Sequence, residues 1–202
     1  MIVAIATPSA QTAAAAARNT PIVFAAITDP LGAKLVSNLE KPGKNITGVS
    51  DVIPLDKQIE LILTIKPDTM TIGTIYNPGE ANSASIVKQL EDYLSDKPQS
   101  LLPVVATKSS EVLGAARSLV GKADVIFIFL DNTAASALEA VIHVGEQNQL
   151  PVFSADTDSV KRGTIAALGF DYFDVGRASG EYVVKILRGA QAGNYLLVML
   201  RK

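Results

Sequence analysis

Ile72-Gly-Thr-Ile-Tyr-Asn-Pro-Gly-Glu-Ala-Asn-Ser83 is the stretch whose reading decides the fold. Apolar residues run up to Tyr76, and Asn77-Pro78-Gly79 has turn chemistry. Ile86, Val87, Leu90 and Leu94 then recur at helical spacing. The stretch therefore predicts a strand, a polar loop and a helix that begins near Asn82 or Ser83. At such a junction the first helical N–H groups lack intrahelical partners and point outward. That makes it a ready receptor for a small anionic group.

The same unit recurs in both directions. Residues 2–6 read as an apolar strand, followed by Thr7-Pro8-Ser9 and an Ala-rich helix to about Arg18. Residues 21–27 form a second strand that ends at Thr28-Asp29-Pro30, and a short helix is expected to reach Leu39. Residues 46–49 form a short strand, and residues 55–65 have helical spacing at Ile59, Ile62 and Leu63. Beyond the quoted stretch, residues 101–106 are a strand, and Ser109 is placed to cap the next helix. Residues 123–130 are the most apolar strand, before Asp131-Asn132-Thr133 and a helix over residues 134–147. A short strand at 151–153, a crossing strand at 164–168 and a long helix over 173–187 complete the chain.

Continuous apolar runs, rather than alternating ones, suit parallel strands buried on both faces. Repeated βα units predict parallel sheets covered by helices through right-handed crossovers. Ligands of such sheets bind at the carboxyl ends of the strands, and here those ends are polar. Two blocks are expected: residues 1–50 with 169–202, and residues 51–168. The crossings between them are placed near 46–50 and 164–168.

Composition narrows the function. The 202 residues carry a net charge of −2, with no basic tract, so nucleic acid is not an expected partner. There is no cysteine, hence no disulfide or thiolate metal site, and one histidine, His143, makes no imidazole cluster. His143 falls inside a predicted helix and reads as a surface or packing residue. Asp29, Asp131 and Asp156 are oxygen donors of the kind Mg²⁺ prefers. They follow different strands, however, and no GxxxxGK loop accompanies them. Neither a Gly-x-Gly-x-x-Gly fingerprint nor a Gly-x-Ser-x-Gly elbow occurs. No cofactor is expected, and the chain reads as one that holds a molecule rather than one that transforms it, with a regulatory or sensory small-molecule-binding module and an open α/β enzyme as the alternative readings. Asp29-Pro30 and Asn77-Pro78-Gly79 also form good turns without any ligand, and Asn82 or Ser83 also serves as a plain helix cap. Glu80 reads either as a solvated loop charge or as a partner for an ammonium group. Phe129 and Phe153 read as core.

Several stretches together resemble one family. They are Ala4-Ile-Ala-Thr-Pro-Ser-Ala-Gln11, Thr28-Asp-Pro-Leu-Gly-Ala33, Lys41-Pro-Gly-Lys-Asn-Ile-Thr-Gly-Val49, Tyr76-Asn-Pro-Gly-Glu-Ala-Asn-Ser83, Asp131-Asn-Thr133, Pro151-Val-Phe-Ser-Ala-Asp-Thr-Asp-Ser-Val-Lys-Arg-Gly163 and Phe170-Asp-Tyr-Phe-Asp-Val-Gly176. The chain resembles the substrate-binding proteins of ABC transporters, in the group that includes the tryptophan/tyrosine-binding lipoproteins. The resemblance covers nearly all of residues 2–190.

The resemblance implies a type I periplasmic binding protein fold, with two α/β lobes that close on a small amino-acid-like ligand about crossing segments. It implies that Thr7, Ser9 and Asp29 present the first lobe's face. Tyr76, Asn77, Glu80, Asn82, Ser83, Asp131, Asn132 and Asp156 present the second lobe's face. Groups near Ser83 would take a carboxylate, and Asp131 or Asp156 an ammonium group. An ABC permease is the implied partner, and an extracytoplasmic location is implied for full-length members, although no signal segment is read here. The family's chains are longer at both ends, so the first lobe is expected to be incomplete, with an apolar edge beside residues 2–6. That edge is expected to be covered by residues 195–200 or through self-association.

Overall fold

A computed structural model of the chain describes residues 1–43, 45–195 and 198–199, the last pair by backbone alone. In chain order the elements are β1 (Ile2–Ile5), α1 (Thr7–Ala16), β2 (Ile22–Ala25), β3 (Ile46–Ser50), α2 (Leu55–Ile65), β4 (Thr71–Tyr76) and α3 (Ala81–Leu94). There follow β5 (Ser100–Val105), α4 (Ser109–Leu119), β6 (Val125–Ile128), α5 (Asn132–Ala135), α6 (Leu138–Asn148) and β7 (Val152–Ser154). Last come α7 (Ser159–Arg162), β8 (Ala166–Ala167), α8 (Tyr172–Leu187), a single 3-10 turn (Ala192–Asn194) and β9 (Val198–Met199).

The chain divides into two units, Met1–Val52 with Phe170–Lys202, and Ile53–Gly169. The first unit holds a parallel sheet in the order β1-β2-β3-β9. The second holds a larger parallel sheet, β5-β4-β6-β7-β8. The fully buried runs Ile22–Ala25 and Val125–Ile128 lie inside their sheets, as apolar runs without alternation require.

Strand β6 shows how the second unit builds its core. Ile126 and Ile128 pack on one face with Val112, Leu119 and Val141 of α4 and α6. Val125 and Phe127 pack on the other face with Ile59, Ile62, Ile86 and Leu90 of α2 and α3. The period of two thus feeds helices on both sides of the sheet. Phe127 is buried to 1% exposure, and removing such a side chain from water contributes about 1.5–3 kcal/mol. In the first unit, α8 turns Val175, Ser179, Tyr182 and Ile186 inward. Gly48 lies opposite Phe24 in the β2–β3 register. A Cβ there would stand 2.1 Å from the Phe24 carbonyl oxygen, so β3 can run beside β2 only with glycine at this point.

Some local expectations change. The helix expected to reach Leu39 is a set of turns. Ala33 N–H donates to Asp29 O and Lys34 N–H to Leu31 O, and Lys34 takes φ 57°, which breaks any helical continuation. The helix over residues 134–147 is two helices, α5 and α6, parted at Ser136 and Ala137. Ser109 is the first residue of α4 rather than its cap, and Glu111 accepts from Thr107 N–H and hydroxyl instead. The expectation that residues 195–200 cover the edge beside β1 falls partly outside the described residues. Of their described residues, Tyr195 accepts through its carbonyl from the Thr47 hydroxyl of β3, and Val198–Met199 joins β3 at the other side of the sheet. Among the described residues β1 therefore keeps one unpaired edge, with Val3 and Ile5 exposed.

Candidate functional site

In the second unit the polar strand ends are fastened to one another, and Asn77 is the centre. It follows β4, the strand between β5 and β6. Its N–H donates to Asp131 Oδ2 at 2.7 Å. Its side-chain amide donates to Thr133 Oγ1 at 2.9 Å and to the Thr107 carbonyl at 3.3 Å. Its own Oδ1 accepts from Gly79 N–H and closes the Asn-Pro-Gly turn. One asparagine thus holds the loops after β4, β5 and β6 in register.

Glu80 and Asp131 complete the fastening. The Glu80 carboxylate accepts from the N–H and side-chain amide of Asn132, and from the N–H and hydroxyl of Thr133. Asp131 caps α5 through Ala134 N–H at 2.7 Å, and also accepts from Asn77 and from the Ser83 hydroxyl. Burial pushes the Asp131 carboxyl up. The bonds from Ser83, Ala134 and Asn77 oppose that shift, and the Glu80 charge adds to it. Both carboxylates are buried and spend their accepting capacity on the chain itself.

The start of α3 is different. Its N-cap is Glu80, whose side chain is turned to residues 132 and 133, so no side chain caps this helix of 14 residues. Asn82 and Ser83 lie in its first turn, buried at 2% and 0% exposure. Asn82 donates to the Leu130 carbonyl at 2.7 Å and to Ser83 Oγ at 3.4 Å. Its Oδ1 is buried without a hydrogen-bond partner.

Tyr76 is half-buried at the end of β4, and Asn132 is exposed. Asp156 follows β7. Its Oδ1 accepts from Asp158 N–H at 3.0 Å, so it organises its own turn, and no hydrogen bond joins it to the Glu80 and Asp131 group. Gly169 packs against that turn, where a Cβ would meet the Ala155 oxygen at 2.3 Å.

In the first unit Thr7 is buried at the start of α1, Ser9 is exposed two residues on in the same turn, and Asp29 is half-buried. Asp29 Oδ1 accepts from Gly32 N–H at 2.8 Å. Sequence reasoning missed Asp51, which follows β3. Its Oδ1 accepts from the Thr28 hydroxyl at 3.1 Å and its Oδ2 from the Tyr172 hydroxyl at 3.3 Å. Burial pushes the Asp51 carboxyl up against these hydrogen bonds. The available signal was the polar pair Ser50-Asp51 at a strand end, the same pattern as Thr28-Asp29. Ala6 and Ala26, which directly follow β1 and β2, hold φ of 67° and 56°. Such backbone strain collects at functional sites. Among the described residues, no three His, Cys, Asp or Glu side chains are grouped to hold a metal ion.

The sequence matches the ABC transporter substrate binding protein family over residues 1–200. A tyrosine-binding protein of Clostridioides difficile (strain R20291) is 40% identical over 194 residues, which are 96% of this chain and 56% of that relative. The chain therefore spans little more than half of that relative's length. A conserved domain protein from Vibrio cholerae O1 biovar eltor shares 45% identity and a TM-score of 0.96, over 98% of this chain and 67% of that one. An ABC domain in complex with L-Trp from Streptococcus pneumoniae shares 33% identity and a TM-score of 0.93, over 100% and 68% of the two chains. The two parallel-sheet units, the first with the smaller sheet, are those of the type I periplasmic binding fold. From the family match and these identities, the chain belongs to the ABC transporter substrate-binding proteins.

Proposed function

We propose that this chain serves as the solute-binding component of an ABC import system, and that its solute is a small amino-acid-like molecule received at the start of α3. The family is one of binding proteins, not enzymes. The observation that carries the reading is the unpartnered, buried Asn82 Oδ1 beside a helix start that no side chain caps. Free N–H groups and the helix dipole favour an anion there. A buried oxygen that lacks a donor favours a ligand N–H or hydroxyl beside that anion. An α-amino acid carries both groups on one carbon.

Roles follow from the hydrogen bonds. The first-turn N–H groups of Asn82 and Ser83 receive the carboxylate, since the Ser83 hydroxyl is already given to Asp131. Asn77, Glu80, Asp131 and Asn132 hold the loops that shape the receptor, and Tyr76 offers an aromatic face. Thr7, Ser9 and Asp29 are proposed as ligand contacts of the first unit, and Asp156 as a further one of the second. The tyrosine-binding relative and the relative solved with L-Trp favour an aromatic solute. A permease of the ABC class is the proposed partner.

Calorimetry of the full chain against the common amino acids tests the reading. Saturable binding of L-tyrosine or L-tryptophan is expected, weakened about tenfold or more in Asn82→Ala, as when one buried hydrogen bond to a charged ligand is lost. Absence of binding to every amino acid would refute it.

A further inference from the structure

Helix α8 has two faces. Val175, Ser179, Tyr182 and Ile186 turn inward to the first unit. The outward face carries Phe173, Gly176, Gly180, Val184 and Leu187, which lie within about 40° of Gly180 around the helix axis. Phe173 is 76% exposed, Leu187 70% and Val184 46%. A Cβ at Gly176 or Gly180 would meet nothing within 4 Å. Glycine inside a helix costs stability relative to alanine, and no neighbour within the chain requires it at these two positions. A helix needs one apolar face for its core, so a second, exposed one marks an interaction surface.

The stripe is symmetric about Gly180. Phe173 and Leu187 stand seven residues to either side of it, and Gly176 and Val184 stand four. Charges along one flank of the stripe alternate in sign: Asp174, Arg177, Glu181 and Arg188. All four are exposed, and among the described residues none of them forms an ion pair. Reversing the helix about Gly180 sets Arg177 against Glu181, Asp174 against Arg188 and Phe173 against Leu187. A surface that complements its own reversed copy is what a twofold dimer requires. A partner of different sequence would not call for that symmetry. Antiparallel helices also set each positive N-terminal end beside a negative C-terminal one. Glycines at the crossing let the two backbones approach closely. We propose that α8 is an interface between two copies of this chain, packed antiparallel about Gly180. The interface is separate from the β1 edge and does not depend on the solute.

Sedimentation equilibrium of the full chain tests it over roughly 1 μM to 1 mM, the span of moderate to weak affinity. Wild type is expected to approach a dimer within that range. Arg177→Glu and Glu181→Arg each set like charges across the twofold axis at two symmetric places, and each is expected to weaken the dimer about tenfold. Combining the two changes exchanges the partners and is expected to return the affinity to within about threefold of wild type. A wild-type monomer at every concentration overturns the proposal. So does a dimer that the single changes leave intact or that the double change fails to recover, since the association then lies elsewhere, as at the β1 edge. A second measurement uses no charge. The chain lacks cysteine, so Gly180→Cys places one thiol on the twofold axis. In air its disulfide-linked dimer is expected to form about tenfold faster than that of Gly114→Cys, an exposed position on α4. Equal rates overturn the proposal.

Discussion

Glu80 Oε1 accepts from Thr133 twice, from its N–H at 3.0 Å and from its hydroxyl at 2.8 Å. The other oxygen treats Asn132 in the same manner. Every donor on this side therefore points at an acceptor-only group. Glu80→Gln places an amide N–H₂ against two of those donors. The expected cost is about 1–3 kcal/mol of stability, the range for buried polar groups left unpaired. It should appear as a lower urea midpoint, with protection from amide exchange lost first at Asn132 and Thr133.

Asp51 makes stability depend on pH in a stated direction. Its carboxyl lies above the ordinary 3.8 because burial opposes ionisation. The folded chain thus keeps a proton that the unfolded chain releases in the window between 3.8 and the raised value. Stability from this group is full below that window and declines as pH rises through it. Asp131 is shifted the same way and adds to the decline. Asp51→Asn cannot ionise, so its melting temperature at neutral pH should equal or exceed that of wild type. Its stability should also fall less between pH 4 and 7 than the wild type's, a window set roughly by the unperturbed carboxylate value and neutrality. A steeper fall in the variant would contradict the assignment.

Glycines separate by what surrounds them. A Cβ at Gly48 or Gly169 would meet backbone oxygens at 2.1 and 2.3 Å, which cannot swing aside. Alanine at either position should cost about 1–3 kcal/mol or more. Gly169→Ala should also weaken any ligand contact made through Asp156, because it displaces that turn. At Gly114, on the open face of α4, nothing lies within 4 Å. Gly114→Ala should therefore stabilise by roughly 0.5–1 kcal/mol through helix propensity. Denaturant melts of the three variants check the contrast.

Ala6 combines φ 67° with ψ 157°, a region that glycine alone occupies at ease. Its conformation is held by Ala6 N–H bonding to Ala25 O and by the immediate start of α1. Ala6→Gly should relieve strain of about 1–3 kcal/mol, less the larger entropy that glycine loses on folding. A net gain of about 1 kcal/mol is expected in a urea titration.

Most of the second unit was legible in the sequence because its signals are local. Asn77-Pro78-Gly79 announces its turn, and Ile86, Val87, Leu90 and Leu94 announce their helical face. The polar strand ends were legible as positions, but the division of labour among them was not. That Glu80 turns away from its own helix to hold residues 132 and 133 depends on β4 lying beside β6, a pairing between distant stretches. Asp51 escaped notice because residues 46–49 read as a short strand crossing out of the first block, so the polar pair after it was not weighed with the other strand ends. The turns over residues 29–36 replace the short helix expected to reach Leu39. Asp29 bonding to Gly32 N–H and the left-handed Lys34 settle that segment, and neither leaves a periodic mark.

The first unit is assembled from two stretches of chain with the whole second unit between them. During synthesis, β1, β2 and β3 leave the ribosome long before α8 exists to cover β2 and β3. The continuous unit has all its strands in hand as soon as residue 169 emerges. The order of maturation is thus written into connectivity: the later-encoded half becomes protease-resistant first, while the earlier-encoded strands wait, open to chaperones, for their last helix. Nascent chains stalled at the point where Gly169 has just cleared the ribosome should yield a protected fragment near Ile53–Gly169 and none containing β1 to β3.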